Sequence, residues 1–139
     1  MNAETVDHLR SIPLFASLPD DALREIATSA TEIEVPRGQV LIEIGQPGAG
    51  LFIVEDGTLE VDLPDGRTVD LGVGQFVGDI ALLTDRPHVA RVRAKTTARC
   101  IAIGRSDLQK LLGEFPQIAV AMLPILAGRV ADLASALEH

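Results

Sequence analysis

Tryptophan and tyrosine are absent, and four phenylalanines hold the aromatic share of the 139 residues at 3%. A surface that stacks nucleic-acid bases needs aromatic rings, so that class of platform is excluded. Leucine, isoleucine, valine and alanine must then build the core. Basic residues are also scarce, 12 against 20 acidic ones, for a formal charge of −8. That balance opposes binding to a phosphate backbone. The single cysteine, Cys100, excludes an internal disulfide and a cysteine-based zinc cage, and fits a reducing cytoplasm. Long hydrophobic runs are missing too. The longest, residues 117–127, contains Pro124 and is too short to span a bilayer. Met1 to Arg10 carries charges without an apolar run, unlike a signal peptide. Neither nucleic acid nor a membrane is expected as a partner of these residues.

What is present is an ordinary globular composition, 47% hydrophobic and 23% charged. The hydrophobic period divides it into three zones. After Ser17-Leu18-Pro19-Asp20, where Ser17 reads as a capping residue, Leu23, Ile26, Ala27 and Ala30 fall on one helix face. A shorter helical turn is expected around Val6 to Ser11. From Thr31 the period changes to two: Ile33 and Val35; Val40, Ile42 and Ile44; Leu59, Val61 and Leu63; Val69 and Leu71. Turn chemistry bounds each run, at Pro36-Arg37-Gly38, Gly45-Gln46-Pro47-Gly48, Glu55-Asp56-Gly57, Pro64-Asp65-Gly66 and Gly72-Val73-Gly74. Further strands are expected over residues 90–97 and 99–103. Short strands punctuated this often describe a mainly β fold with flanking helices, an antiparallel β-roll or jelly roll.

The third zone is helical. Ser106-Asp107 opens a helix that Gly113 closes, and Pro116 suits the first turn of the next. Ala119, Leu123, Leu126, Val130, Leu133 and Leu137 then follow alternating steps of four and three, an a/d seam. This seam reads as a homodimer helix, with packing onto the roll as the other reading. Pro124 inside it predicts a kink or a break. One domain is expected over residues 1–136, with N-terminal helices at 6–30, the roll at 31–104 and C-terminal helices at 105–136. Residues 137–139 read as an expression-tag remnant, which leaves open whether the native chain continues.

Between two of the strands lies Gly78-Asp79-Ile80-Ala81-Leu82, which reads as a very short helix. A helix start leaves backbone N–H groups unpaired and partially positive, a setting that receives anions. No metal-ligand cluster, nucleophile with a nearby base, or phosphate loop of the GxxxxGK[ST] kind is visible by spacing. No metal, catalysis or cofactor is therefore expected. His8 reads as a solvated residue, and Cys100 as a small core or surface residue without catalytic function.

Gly45-Gln46-Pro47-Gly48, with the run from Leu51 to Val61, resembles the cyclic-nucleotide-binding domain family. That family includes sensor halves of catabolite-activator-type regulators and cyclic-nucleotide-regulated kinases and channels. Phe76 to Leu83, ending in Pro87-His88-Val89-Ala90, resembles its phosphate-binding cassette. The resemblance implies a regulatory domain whose ligand, cyclic AMP or cyclic GMP, is coupled to the position of the C-terminal helices. It implies phosphate contacts at Gly78 and at the amides of Ile80 and Ala81, and a ribose contact at Asp79. A shorter Asp79 stands where the family carries glutamate. His88 stands in place of the phosphate-binding arginine, and Val89 in place of the hydroxyl residue after it. Losing one charge-assisted pair is worth roughly 1.5–3 kcal/mol, about one to two decades of affinity. Alternatives stay open for these positions. Asp79 also reads as a carboxylate satisfying its own helix start, and His88 as a turn residue. For the whole chain, the alternative is a degenerate domain that binds no cyclic nucleotide and serves as a dimerisation or protein-interaction module. Strand parity turns Ala90, Val92 and Ala94 inward and Arg91 and Arg93 outward. Arg86 is left as a turn residue that could bend back.

Overall fold

A computed structural model describes residues 3–48, 50–78, 84 and 86–137. Helix α1 (Ala3–Arg10), a 3-10 turn (Pro13–Phe15) and helix α2 (Asp20–Ser29) precede eight strands. These are β1 (Thr31–Val35), β2 (Val40–Ile42), β3 (Gly50–Asp56), β4 (Leu59–Asp62), β5 (Thr68–Leu71), β6 (Phe76–Val77), β7 (Arg91–Ala94) and β8 (Ala98–Gly104). Helices α3 (Arg105–Glu114) and α4 (Pro116–Leu137) follow. The strands form two antiparallel sheets of four, ordered β1-β8-β3-β6 and β2-β7-β4-β5. This is the β-roll that the alternating pattern predicts.

The central strands of the first sheet, β3 and β8, are covered on both sides. Leu51 and Ile53 of β3, with Ile101 and Ile103 of β8, face the helices and pack with Leu23, Ile26, Leu108, Leu111, Ile118 and Met122. The intervening Val54, Ala98 and Cys100 face the interior of the roll with Val35, Leu59 and Val92. Burial on both faces explains why β3 reads Leu51-Phe52-Ile53-Val54 without polar alternation. The second sheet has one wet face, and β7 shows it: Val92 and Ala94 are buried while Arg91 and Arg93 lie between them on the outer side. There Arg91 pairs with Glu43 at 2.9 Å and Arg93 with Asp62 at 2.5 Å.

Three local expectations change. Helix α2 begins at Asp20 with Pro19 at its cap and no side-chain cap bond, so Ser17 is not the capping residue. Asp20 and Asp21 place negative charge in the first turn, where it suits the helix start. Gly113 lies inside α3, which closes at Phe115 instead. Helix α4 runs through Pro124 without a break. A proline removes one backbone bond, and Ile118 and Met122, buried against the core, hold the turns before it.

Candidate functional site

The inner face of the second sheet is not filled by its own side chains. Ile42, Val61, Leu71 and Val92 floor a hollow of about 320 Å³. One rim is Val77-Gly78 at the end of β6, another is His88-Val89-Ala90 ahead of β7, and Arg129 and Asp132 of α4 close the third. This volume falls within the roughly 300–1,000 Å³ of small-molecule sites, and the walls are apolar, as such sites usually are.

Each rim has a local cause. Gly78 has φ +96°, and a Cβ there would lie 2.3 Å from the Gly50 carbonyl oxygen. Only glycine lets the chain leave β6 so close to β3. The His88 N–H donates to the Gln46 carbonyl at 2.9 Å, and the His88 carbonyl accepts from the Gly45 N–H at 2.9 Å. The glycine-rich turn thus clamps His88 by its backbone and leaves the ring to face the hollow. Burial pushes the imidazole pKa below its ordinary value, because a less hydrated site disfavours the cation. Val89 is 59% exposed at the rim and offers no donor.

Of the predicted site residues, Gly78, His88 and Val89 are brought to one hollow. Asp79, Ile80 and Ala81, with the expected short helix, lie outside the described residues. Arg86 lines a separate hollow of about 210 Å³ with Gly45, Pro47, Gly48, Pro87 and Arg105. His8 is not simply solvated: its Nε2 pairs with Glu55 Oε2.

Sequence reasoning missed Arg129. Its Nη2 donates to the Phe76 carbonyl at 2.5 Å, and its guanidinium carbon lies 4.5 Å from the centre of the Phe76 ring. The signal was present, because Arg129 is the one basic residue between Pro116 and Leu137. A single cation on a largely apolar helix calls for a partner, and here the partner lies across the fold.

The described seam positions of α4 divide. Leu123 is 61% and Val130 66% exposed, whereas Ala119 and Leu126 are partly covered. The core is met instead by Ile118 and Met122.

The family model "Cyclic nucleotide-binding domain" matches residues 32–115, from β1 to the end of α3. The chain belongs to the cyclic nucleotide-binding domain family. It is 37% identical over 109 residues to a cyclic nucleotide-gated potassium channel of Mesorhizobium japonicum, covering 78% of this chain and 30% of that protein. Among solved structures, it is similar to the N-terminal domain of a transcriptional regulator from Streptomyces coelicolor A3(2). There the identity is 34% and the TM-score 0.67, over 94% of this chain and 96% of that one. The catabolite activator protein of Thermus thermophilus shares the fold, with TM-score 0.80 and 23% identity over 91% of this chain and 62% of that one. The chain spans about three tenths of the length of the curated relatives it matches. Among the described residues, no single helix is long and apolar enough to cross a membrane.

Proposed function

We propose that this chain is a single, non-catalytic sensor domain, cytoplasmic in setting, that takes cyclic AMP or cyclic GMP into the hollow beside Gly78 and His88. The observation that carries the reading is that this hollow stays open between the second sheet and α4, with a backbone turn that only glycine can make at its edge. In this reading Gly78 and the amides of Ile80 and Ala81 meet the cyclic phosphate, and Asp79 receives the ribose. His88 supplies the positive charge when protonated, and Val89 forms an apolar edge. A base lying over the sheet meets Phe76 and Arg129, so occupancy bears directly on where α4 rests. That gives the ligand a means of repositioning the helix and whatever it holds.

Thermal denaturation with each nucleotide tests this. Ligand at a hundred times its dissociation constant adds about 2.7 kcal/mol of stability, a rise of roughly 10 °C at this chain length. Absence of any shift with either nucleotide at millimolar concentration, at both pH 6 and pH 8, overturns the reading.

A second reading is favoured by Leu123 and Val130, large apolar residues left exposed on α4. In it the helix joins two copies of the chain, with Ala119, Leu126 and Leu133 completing the seam. Sedimentation equilibrium then finds a dimer that Leu123→Glu with Val130→Glu dissociates. A monomer at every concentration removes this reading.

A further inference from the structure

Spacing in the sequence shows no metal-ligand cluster, yet folding gathers one. His8 in the last turn of α1, Glu32 in β1 and Glu55 in β3 each bring a ligand atom within 4.8 Å of the other two. Strands β1 and β3 flank β8 on opposite sides. Val54 pairs with Cys100 and Asp56 with Arg99, so Glu55 is the extra residue of a bulge. A bulge breaks the alternation of a strand and re-aims a side chain. Here the Glu55 side chain is only 3% exposed. One oxygen meets the His8 ring, and the other, Oε1, is buried with no hydrogen-bond partner. A carboxylate so buried is unfavourable unless charge and hydrogen bonds compensate it. Glu32 adds a second carboxylate beside it, which Arg99 meets at 3.5 Å.

We propose that His8, Glu32 and Glu55 form a binding site for a divalent transition-metal ion of the zinc type. One imidazole nitrogen and two carboxylates suit such an ion, with water completing its shell. The cation sits among the three ligand atoms and neutralises both carboxylates. Magnesium and calcium favour all-oxygen shells, so they compete poorly. The bound ion ties α1 to β1 and β3 and fixes the N-terminal helix on the roll. None of its ligands lines the nucleotide hollow, so the two sites stand or fall separately.

The test is calorimetric titration of ZnCl2 into chelator-stripped protein free of any polyhistidine extension, with thermal unfolding in parallel. One zinc ion per chain is expected, with Tm raised by roughly 10 °C when zinc is about a hundredfold above its dissociation constant. Magnesium is expected to leave Tm unchanged. His8→Gln and Glu55→Gln each weaken zinc binding at least about tenfold. The half-exposed His8 variant keeps the test valid if the buried Glu55 variant folds poorly. No saturable binding by the native protein at about 1 mM zinc, or unchanged affinity in His8→Gln, overturns the proposal.

Discussion

Arg129 of α4 holds Phe76 of β6 twice, by a hydrogen bond to its carbonyl and by stacking its guanidinium on the ring. The two residues are 53 positions apart. They join the last helix to the strand that leads into Gly78, so a change at either end is felt at the other.

Removing that link should loosen the molecule. A cation–π contact contributes about 0.5–2 kcal/mol and a charged hydrogen bond about 1.5–3. Because water replaces part of both, Arg129→Ala is expected to lose about 1–3 kcal/mol in urea denaturation. Arg129→Lys should recover little of it, lacking the planar stacking surface. Equal stability of wild type and Arg129→Ala would mean the contact holds nothing.

His88 gives a pH signature with two opposite signs. In the free protein burial lowers its pKa, so the unfolded chain binds more protons between that lowered value and the ordinary ~6.5. Stability therefore falls as pH drops through this window and is regained above it. A bound phosphate favours the imidazolium, so cyclic-nucleotide affinity should rise as pH falls. His88→Arg should tighten binding by roughly one to two decades and flatten that dependence. Titrations at pH 6 and pH 8 that give one affinity would show that His88 is not the cation.

Two glycines with similar positive φ angles should respond differently to alanine. At Gly66 a Cβ meets nothing within 4 Å, whereas at Gly78 it would collide with the Gly50 carbonyl. Gly66→Ala is expected to cost about 1 kcal/mol, from backbone strain alone. Gly78→Ala should cost about 2–5 kcal/mol, strain plus a backbone clash. Chemical denaturation of the pair measures the difference directly.

The Cys100 thiol should be inert while the chain is folded. It is fully buried, and burial together with the nearby Glu55 charge pushes its pKa up to about 11. Thiolate is the reactive form, so a disulfide-exchange reagent at neutral pH should label the protein only at its unfolding rate. Immediate stoichiometric labelling would contradict this burial.

The roll was legible because alternation and turn residues are local signals. Val92 and Ala94 turn inward, with Arg91 and Arg93 outward, as strand parity requires. Gly78 and His88 were legible by motif. Arg129 and the pairing of His8 with Glu55 were not, because each depends on contacts across 47 or more positions. A bulge at Glu55 also defeats a strict period of two. At Pro124 the local rule predicts a kink or a break, and tertiary packing carries the helix past it without a break.

The central strands of the first sheet, β3 and β8, confer a division of labour along the chain. Their buried side chains hold two compartments together, so substitutions there cost folding stability. The inner face of the second sheet is divided: Leu59 and Ala94 pack in the core, while Val61 and Val69 border the hollow. In the proposed sensor reading, exchanging Val61 or Val69, which are not buried, retunes which molecule fits at little cost to the core. One architecture can thus acquire new chemical preferences while its foundation stays fixed.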